Sequence, residues 1–144
     1  MELALADAKA AGERGEVPVG AVIVDDKGFV LASAGNRTRE CNDPTAHAEV
    51  LAIRAACALL NSERLNGCDL YVTLEPCAMC AAAISFARVR RLYFGAPDPK
   101  SGGVEHGGRL FQQPTCHHAP EVYGGIAGEG SSALLRAFFS KRRD

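Results

Sequence analysis

Two short stretches hold the residue types that metal-assisted hydrolysis needs. The first is His47-Ala48-Glu49 and the second is Pro76-Cys77-Ala78-Met79-Cys80. Cysteines three apart share a face when they lie on a helix, so both sulfurs can reach one ion. A helix start also lowers a thiol's pKa, which favours the thiolate that a metal binds. His47 would complete a Cys₂His set. Three protein ligands leave the fourth tetrahedral position of a zinc ion open, which marks a catalytic rather than a structural ion. Zinc in such a site lowers the pKa of water to about 7, and Glu49 is the natural proton carrier. Residues two apart do not share a helical face, so His47 and Glu49 converge only if the helix tip points at the ion. Two other readings fit the same residues. Cys-x-x-Cys opening a helix after a strand also describes a thioredoxin-like redox pair. Structural zinc would fit if His106, Cys116, His117 or His118 supplied a fourth ligand.

Alternating helices and strands must position these groups. Residues 2–13 are alanine-rich and predict a helix ended by Gly12 and Gly15. Residues 20–25 form a short apolar run that predicts a buried strand. Asp26-Lys27-Gly28 is a turn signal, and residues 29–34 predict the second arm of a hairpin. Asp43 or Thr45 is expected to cap a helix reaching about Leu60, with Pro44 in its first turn. Residues 69–74 are rich in strand formers. Pro76 is expected to open a helix from Cys77 to Ala87. Arg91 to Phe94 predicts a strand stopped by Gly95. Residues 96–120 carry four of the seven prolines and four glycines and predict a long loop, functional or mobile. Residues 121–123 predict a last strand. Residues 129–143 predict a helix with Leu134, Leu135, Phe138 and Phe139 on one stripe, the two phenylalanines in the core. Cys116 is expected to be a buried thiol. Strands alternating with helices predict an α/β layered sheet in one domain, residues 1–144.

The chain has 144 residues, 47% hydrophobic and 23% charged, with a net charge of −1. That excludes a disordered chain and a uniformly basic nucleic-acid coat. The charge is uneven: residues 1–72 carry seven basic and eleven acidic side chains, residues 73–144 nine and six. A local basic face in the second half is therefore open, at Arg88, Arg90 and Arg91 or at Lys141 to Arg143. The longest small and apolar run, Cys77 to Ala87, is well short of the ~20 residues that cross a membrane. Met1 to Asp7 carries acids where a secretion signal carries a basic leader, so a cytoplasmic location is expected.

His-x-Glu at one helix start, followed one strand later by Pro-Cys-x-x-Cys at another, is the signature of zinc-dependent nucleobase deaminases. Further stretches extend the match: Glu16-Val-Pro-Val-Gly-Ala-Val22, Gly35-Asn-Arg37, Asp43-Pro-Thr-Ala-His-Ala-Glu49, Tyr71-Val-Thr-Leu-Glu-Pro-Cys-Ala-Met-Cys80 and Phe138-Phe139. In these the chain resembles the bacterial tRNA adenosine deaminases, over nearly its whole length and in the same order. The resemblance implies a cytidine-deaminase-like three-layer α/β/α fold with a five-stranded mixed sheet, acting as a homodimer. It implies hydrolysis of the wobble adenosine of a tRNA anticodon arm, typically an arginine tRNA, to inosine. It makes His47, Cys77 and Cys80 the ligands of one Zn²⁺ and Glu49 the general acid and base. It places Asn36, Val19, Gly20, Ala48 and Asp98 against the substrate, with the missing side chain of Gly20 letting the base approach. Lys100, Arg142 and Arg143 are the expected RNA-backbone contacts. The rival expectations are a guanine, cytosine or free-nucleoside deaminase on the same scaffold, and a non-catalytic zinc-stabilised RNA-binding module.

Overall fold

The computed structural model describes residues 1–143, with the side chains of Arg142 and Arg143 outside the description. The chain begins with α1 (Glu2–Glu13) and a hairpin of β1 (Gly20–Val24) and β2 (Val30–Gly35). Next come α2 (Ala48–Leu60), β3 (Asp69–Leu74), α3 (Ala78–Phe86) and β4 (Arg91–Ala96). A single 3₁₀ turn, Leu110–Gln112, interrupts the long connection before β5 (Glu121–Tyr123) and α4 (Gly128–Arg143). The sheet runs β2-β1-β3-β4-β5. β1 is antiparallel to both β2 and β3, whereas β3, β4 and β5 are parallel, so the sheet is mixed.

The helices sort to two faces. α1 packs on β1 and β2 and also meets α4, which lies on β4; α2 and α3 meet each other on the opposite face. On that second face Leu70, Val72, Leu92 and Phe94 of the parallel strands pack with Ala48, Ala52 and Ala56 of α2 and Ile84 of α3. Small residues in α2 let the helix lie close to the sheet. The first face uses a different device. Gly20 and Gly35 are register partners on β1 and β2. A Cβ at Gly20 would sit 2.0 Å from the Ala4 carbonyl oxygen, and one at Gly35 would sit 2.8 Å from that of Asp7. The paired glycines therefore let the backbone of α1 rest directly on the hairpin.

Three expected boundaries move, and one expected core face is shallow. α2 begins at Ala48 with His47 as N-cap, not at Asp43 or Thr45. The Asp43 carboxylate instead accepts the N–H and hydroxyl of Thr45 at 2.8 and 2.7 Å, closing a separate turn ahead of the helix. Cys77 is the N-cap of α3 rather than its first helical residue. Gly95 does not stop β4, which continues to Ala96, because Gly95 lies under Ser131 of α4 where no side chain fits. Phe139 is 45% exposed and Phe138 only partly buried, so the α4 stripe is shallower than a core face. Among the described residues no helix is long and apolar enough to cross a membrane.

Candidate active site

The shifted boundaries build the site. His47 and Cys77 both have extended backbones as N-caps, with ψ of 151° and 176°, so neither is bound by helical face geometry. Two helix starts thus meet at one point. His47 Nδ1 lies 3.6 Å from Cys77 Sγ and 3.5 Å from Cys80 Sγ. A tetrahedral zinc with bonds of about 2.3 Å to sulfur and 2.0–2.1 Å to nitrogen would have an N···S edge of about 3.6 Å. The three ligand atoms all lie within 4.8 Å of one another, and the group contains no fourth His, Cys, Asp or Glu. The donor set therefore fits one zinc ion with a position left for water, as a catalytic ion requires.

The other expected candidates for a fourth ligand are engaged or lie outside this group. His106 Nδ1 is 2.7 Å from Glu75, and His118 Nε2 is 2.7 Å from the Val89 carbonyl. Cys116 is half-buried against Ser85 and the His118 carbonyl. A structural zinc is not supported by this placement, and a redox pair would not need an imidazole against both sulfurs.

Charge in the cluster is shared unevenly. The hydrogen bond from the Cys80 thiol, with His47 adding to it, holds Cys77 down at about 4. The Cys80 thiol is pushed up by the hydrogen bond it gives and by burial. His47 is raised, chiefly by its hydrogen bond with Cys77. A bound dication would draw the remaining thiol proton away. Glu49 is 4% exposed in the first turn of α2. Burial pushes its carboxyl up to about 7, and the Cys77 thiolate adds to the shift. A carboxyl poised there can both take and give a proton near neutral pH.

A cavity of about 200 Å³ opens over these groups, lined by Val19, Asn36, His47, Glu49, Leu74 and Asp98, among others. Its size suits a single flat ring rather than a drug-sized ligand, which fills about 300–1,000 Å³. Another cavity, of about 460 Å³, lies against Phe86, Leu110 and Cys116 and holds none of the metal-binding residues or Glu49. The family model of the cytidine and deoxycytidylate deaminase zinc-binding region matches residues 1–96, two thirds of the chain.

The chain belongs to this deaminase family. A tRNA-specific adenosine deaminase of Agrobacterium fabrum is 66% identical over 143 residues, 99% of this chain and 93% of that protein. A solved structure from a study of A-to-I editing by tRNA:A34 deaminases at the wobble position of transfer RNA matches with a TM-score of 0.92. That match has 67% identity and covers 94% of this chain and 97% of the other. The guanine deaminase of Bacillus subtilis matches with a TM-score of 0.67 at 32% identity, covering 99% and 91%.

The remaining expected residues of this deaminase fall into three groups. Asn36 is buried in the cavity wall, and its Oδ1 accepts the Ala48 N–H at 2.8 Å. Ala48 thus holds Asn36 rather than facing the cavity. That bond takes one of the two Oδ1 lone pairs, so Nδ2 is the less engaged end of the amide that the sequence offers as donor and acceptor together. Val19 and Asp98 line the cavity. Asp98 Oδ1 also accepts the N–H groups of Lys100 and Ser101, at 3.2 and 3.0 Å. Gly20 is displaced from its expected role. Its missing side chain makes room for α1, and its N–H donates to Thr73 at 3.1 Å. Lys100 is exposed and outside the cavity lining. The side chains of Arg142 and Arg143 lie outside the described residues. Arg90 forms a bidentate pair with Asp69 at 2.9 Å, and Arg91 pairs with Glu121 at 2.7 Å, so that basic cluster is largely neutralised.

Two buried carboxylates escaped the sequence reading. Glu16 accepts the N–H groups of Arg39 and Glu40 at 3.1 and 2.9 Å, beside Thr38, which lines the cavity. Glu75 gathers a loop on the other side. Both sit inside the motifs, in Glu-Val-Pro-Val and Leu-Glu-Pro-Cys. A glutamate beside apolar strand residues was the available signal.

Proposed function

We propose that this chain, as one domain spanning residues 1–144, hydrolyses the wobble adenosine of a tRNA anticodon arm to inosine, releasing ammonia. The observation that carries this reading is a buried proton carrier, Glu49, beside a three-ligand metal group at the foot of a base-sized cavity. His47, Cys77 and Cys80 would hold the zinc. When bound there, zinc supplies Lewis-acid activation of water near neutral pH.

The chain's own groups do the rest. Glu49 accepts a proton from the water, passes one to adenine N1, and assists the departure of the amino group. Such acid–base work is worth about 10²–10⁴ in rate. Asn36 donates from Nδ2 to an acceptor on the purine edge. Val19 and Leu74 flank the ring. Asp98 meets the nucleotide beside the target, and Lys100, Arg142 and Arg143 meet phosphates. The wobble base lies in a single-stranded loop, so extruding it costs little.

The relatives of similar length named for tRNA support the substrate, and an arginine tRNA is the expected one. A cytoplasmic location suits that substrate. A homodimer is supported by apolar surface at the carboxyl ends of α2 and α3, where Leu59 is 64% and Phe86 80% exposed. The likeness to a guanine deaminase gives the rival substrate. The test incubates the protein with an anticodon stem-loop bearing a wobble adenosine, with free adenosine, guanine and cytosine in parallel. Inosine from the stem-loop is the expected product. Ammonia from guanine or a free nucleoside alone would keep the metal chemistry and overturn the RNA substrate.

A further inference from the structure

Glu75 directly follows β3, two residues before Cys77, and its side chain is fully shut from solvent. It accepts five hydrogen bonds, all from one segment. Oε1 accepts the Asp98 N–H at 3.0 Å and the His106 Nδ1–H at 2.7 Å. Oε2 accepts the N–H groups of Val104, Glu105 and His106 at 3.2, 3.0 and 3.2 Å. Burial raises this carboxyl, but the donors outweigh it and keep it below the usual range. Its four backbone partners are all N–H donors divided between both oxygens, so the carboxylate is placed as an acceptor, and the His106 ring matches it with its proton on Nδ1.

The segment has almost no regular structure of its own. It touches the metal side of the molecule at Gly102, bridged to Cys77, and at Gly103, whose N–H donates to the Pro76 carbonyl at 2.8 Å. A Cβ at Gly102 would lie 2.3 Å from Glu75 Oε2, so the backbone is drawn tight around the carboxylate. The same segment lays Asp98 and Ser101 along the substrate cavity. Four of the five donors are backbone amides that nearly any sequence would supply. The His106 ring is the one donor a substitution can remove, and at 34% exposure its loss opens no core.

We propose that Glu75 and His106 clamp residues 98–106 into the outer wall of the cavity, making His106 a positioning residue for substrate binding. The substrate half of this proposal rests on the tRNA reading above; the clamp itself does not. His106 touches neither the metal group nor Glu49 among the described residues. Its loss should therefore act on binding, while proton transfer and metal affinity stay as they are.

The test compares His106→Ala and His106→Asn in the full-length protein. Asn can return a donor to the place of Nδ1. For the stem-loop substrate, His106→Ala is expected to raise KM about tenfold, the weight of one hydrogen bond to a charged group, with kcat and zinc content unchanged. His106→Asn is expected to bring KM back towards the parent value. Hydrogen exchange gives a readout free of any substrate. In His106→Ala the amides of Asp98, Val104 and Glu105 should exchange faster, while those of α3 should not change. Unchanged exchange in 98–106 would refute the clamp. An unchanged KM, or zinc, kcat and KM all failing together, would refute the positioning role. A parent protein that turns over no stem-loop would refute the tRNA reading and the substrate half with it, leaving exchange to decide the clamp.

Discussion

Glu49 is buried beside a thiolate and an imidazole, and that placement fixes what substitution should do. Glu49→Gln keeps the shape and removes the proton carrier. Deamination should fall by about 10²–10⁴, the usual weight of a general acid–base group. Bound zinc should stay at one per chain, measured by metal analysis. A variant that kept its deamination rate would show that Glu49 is not the proton carrier. At this scale the sequence said most of what mattered. The identities of His47, Glu49, Cys77 and Cys80 were legible because few residue types bind zinc and move protons. Their convergence was not, because it depends on His47 and Cys77 being caps with extended backbones rather than helical residues. For Asn36, the bond to its Oδ1 was not legible, since the partner is a backbone N–H twelve residues away.

Among elements, loops rather than helices set the cavity walls, and buried carboxylates hold the loops. Glu16 is 2% exposed, and burial alone would raise its carboxyl. The N–H groups of Glu40 and Arg39, the Thr38 hydroxyl and the charge of Arg14 bring it below 4.5 instead. A carboxyl depressed on folding stabilises the fold at pH values above its unfolded pKa, and that contribution is lost as pH falls through the folded one. The thermal midpoint should therefore drop as pH goes below about 4.5. Glu16→Gln should start with a lower midpoint at neutral pH and lose less over the acid range. Parallel acid slopes for the two proteins would show that Glu16 is not a source of the dependence. Strands and helices were legible from apolar runs, prolines and caps, with errors of a few residues at α2, α3 and β4. The loops were legible only as loops. Their anchors are single acids whose partners are backbone amides, and a backbone amide has no signature in sequence.

For the whole molecule, charge decides how a near-neutral chain would hold a polyanion. Arg90 and Arg91 are paired with acids, so they offer little to phosphate. The excess left in the second half points to the carboxyl end. Substitution of Lys141, Arg142 and Arg143 by alanine should weaken binding of an anticodon stem-loop. The slope of log affinity against log salt should become shallower by about one for each phosphate no longer neutralised. Turnover of a free nucleoside, where any is seen, should not change. An unaltered salt slope would place the phosphate-binding cations elsewhere on the surface. The layered α/β sheet and its five strands were legible from the order of elements; their mixed directions came from likeness to a family.

With Asn36 as the base contact proposed above, its bond to Ala48 would tie base preference to catalytic competence. On the proposed function, the residue that meets the ring also steadies the peptide between a metal ligand and the proton carrier. A mutation at Asn36 that favoured a new base would loosen His47 and Glu49 at the same stroke. Lineages of this enzyme would then find few viable routes to new substrates through that position. Variation in preference should accumulate instead in the rims, at residues 38–40 and 98–106, where a change in shape leaves the chemistry intact.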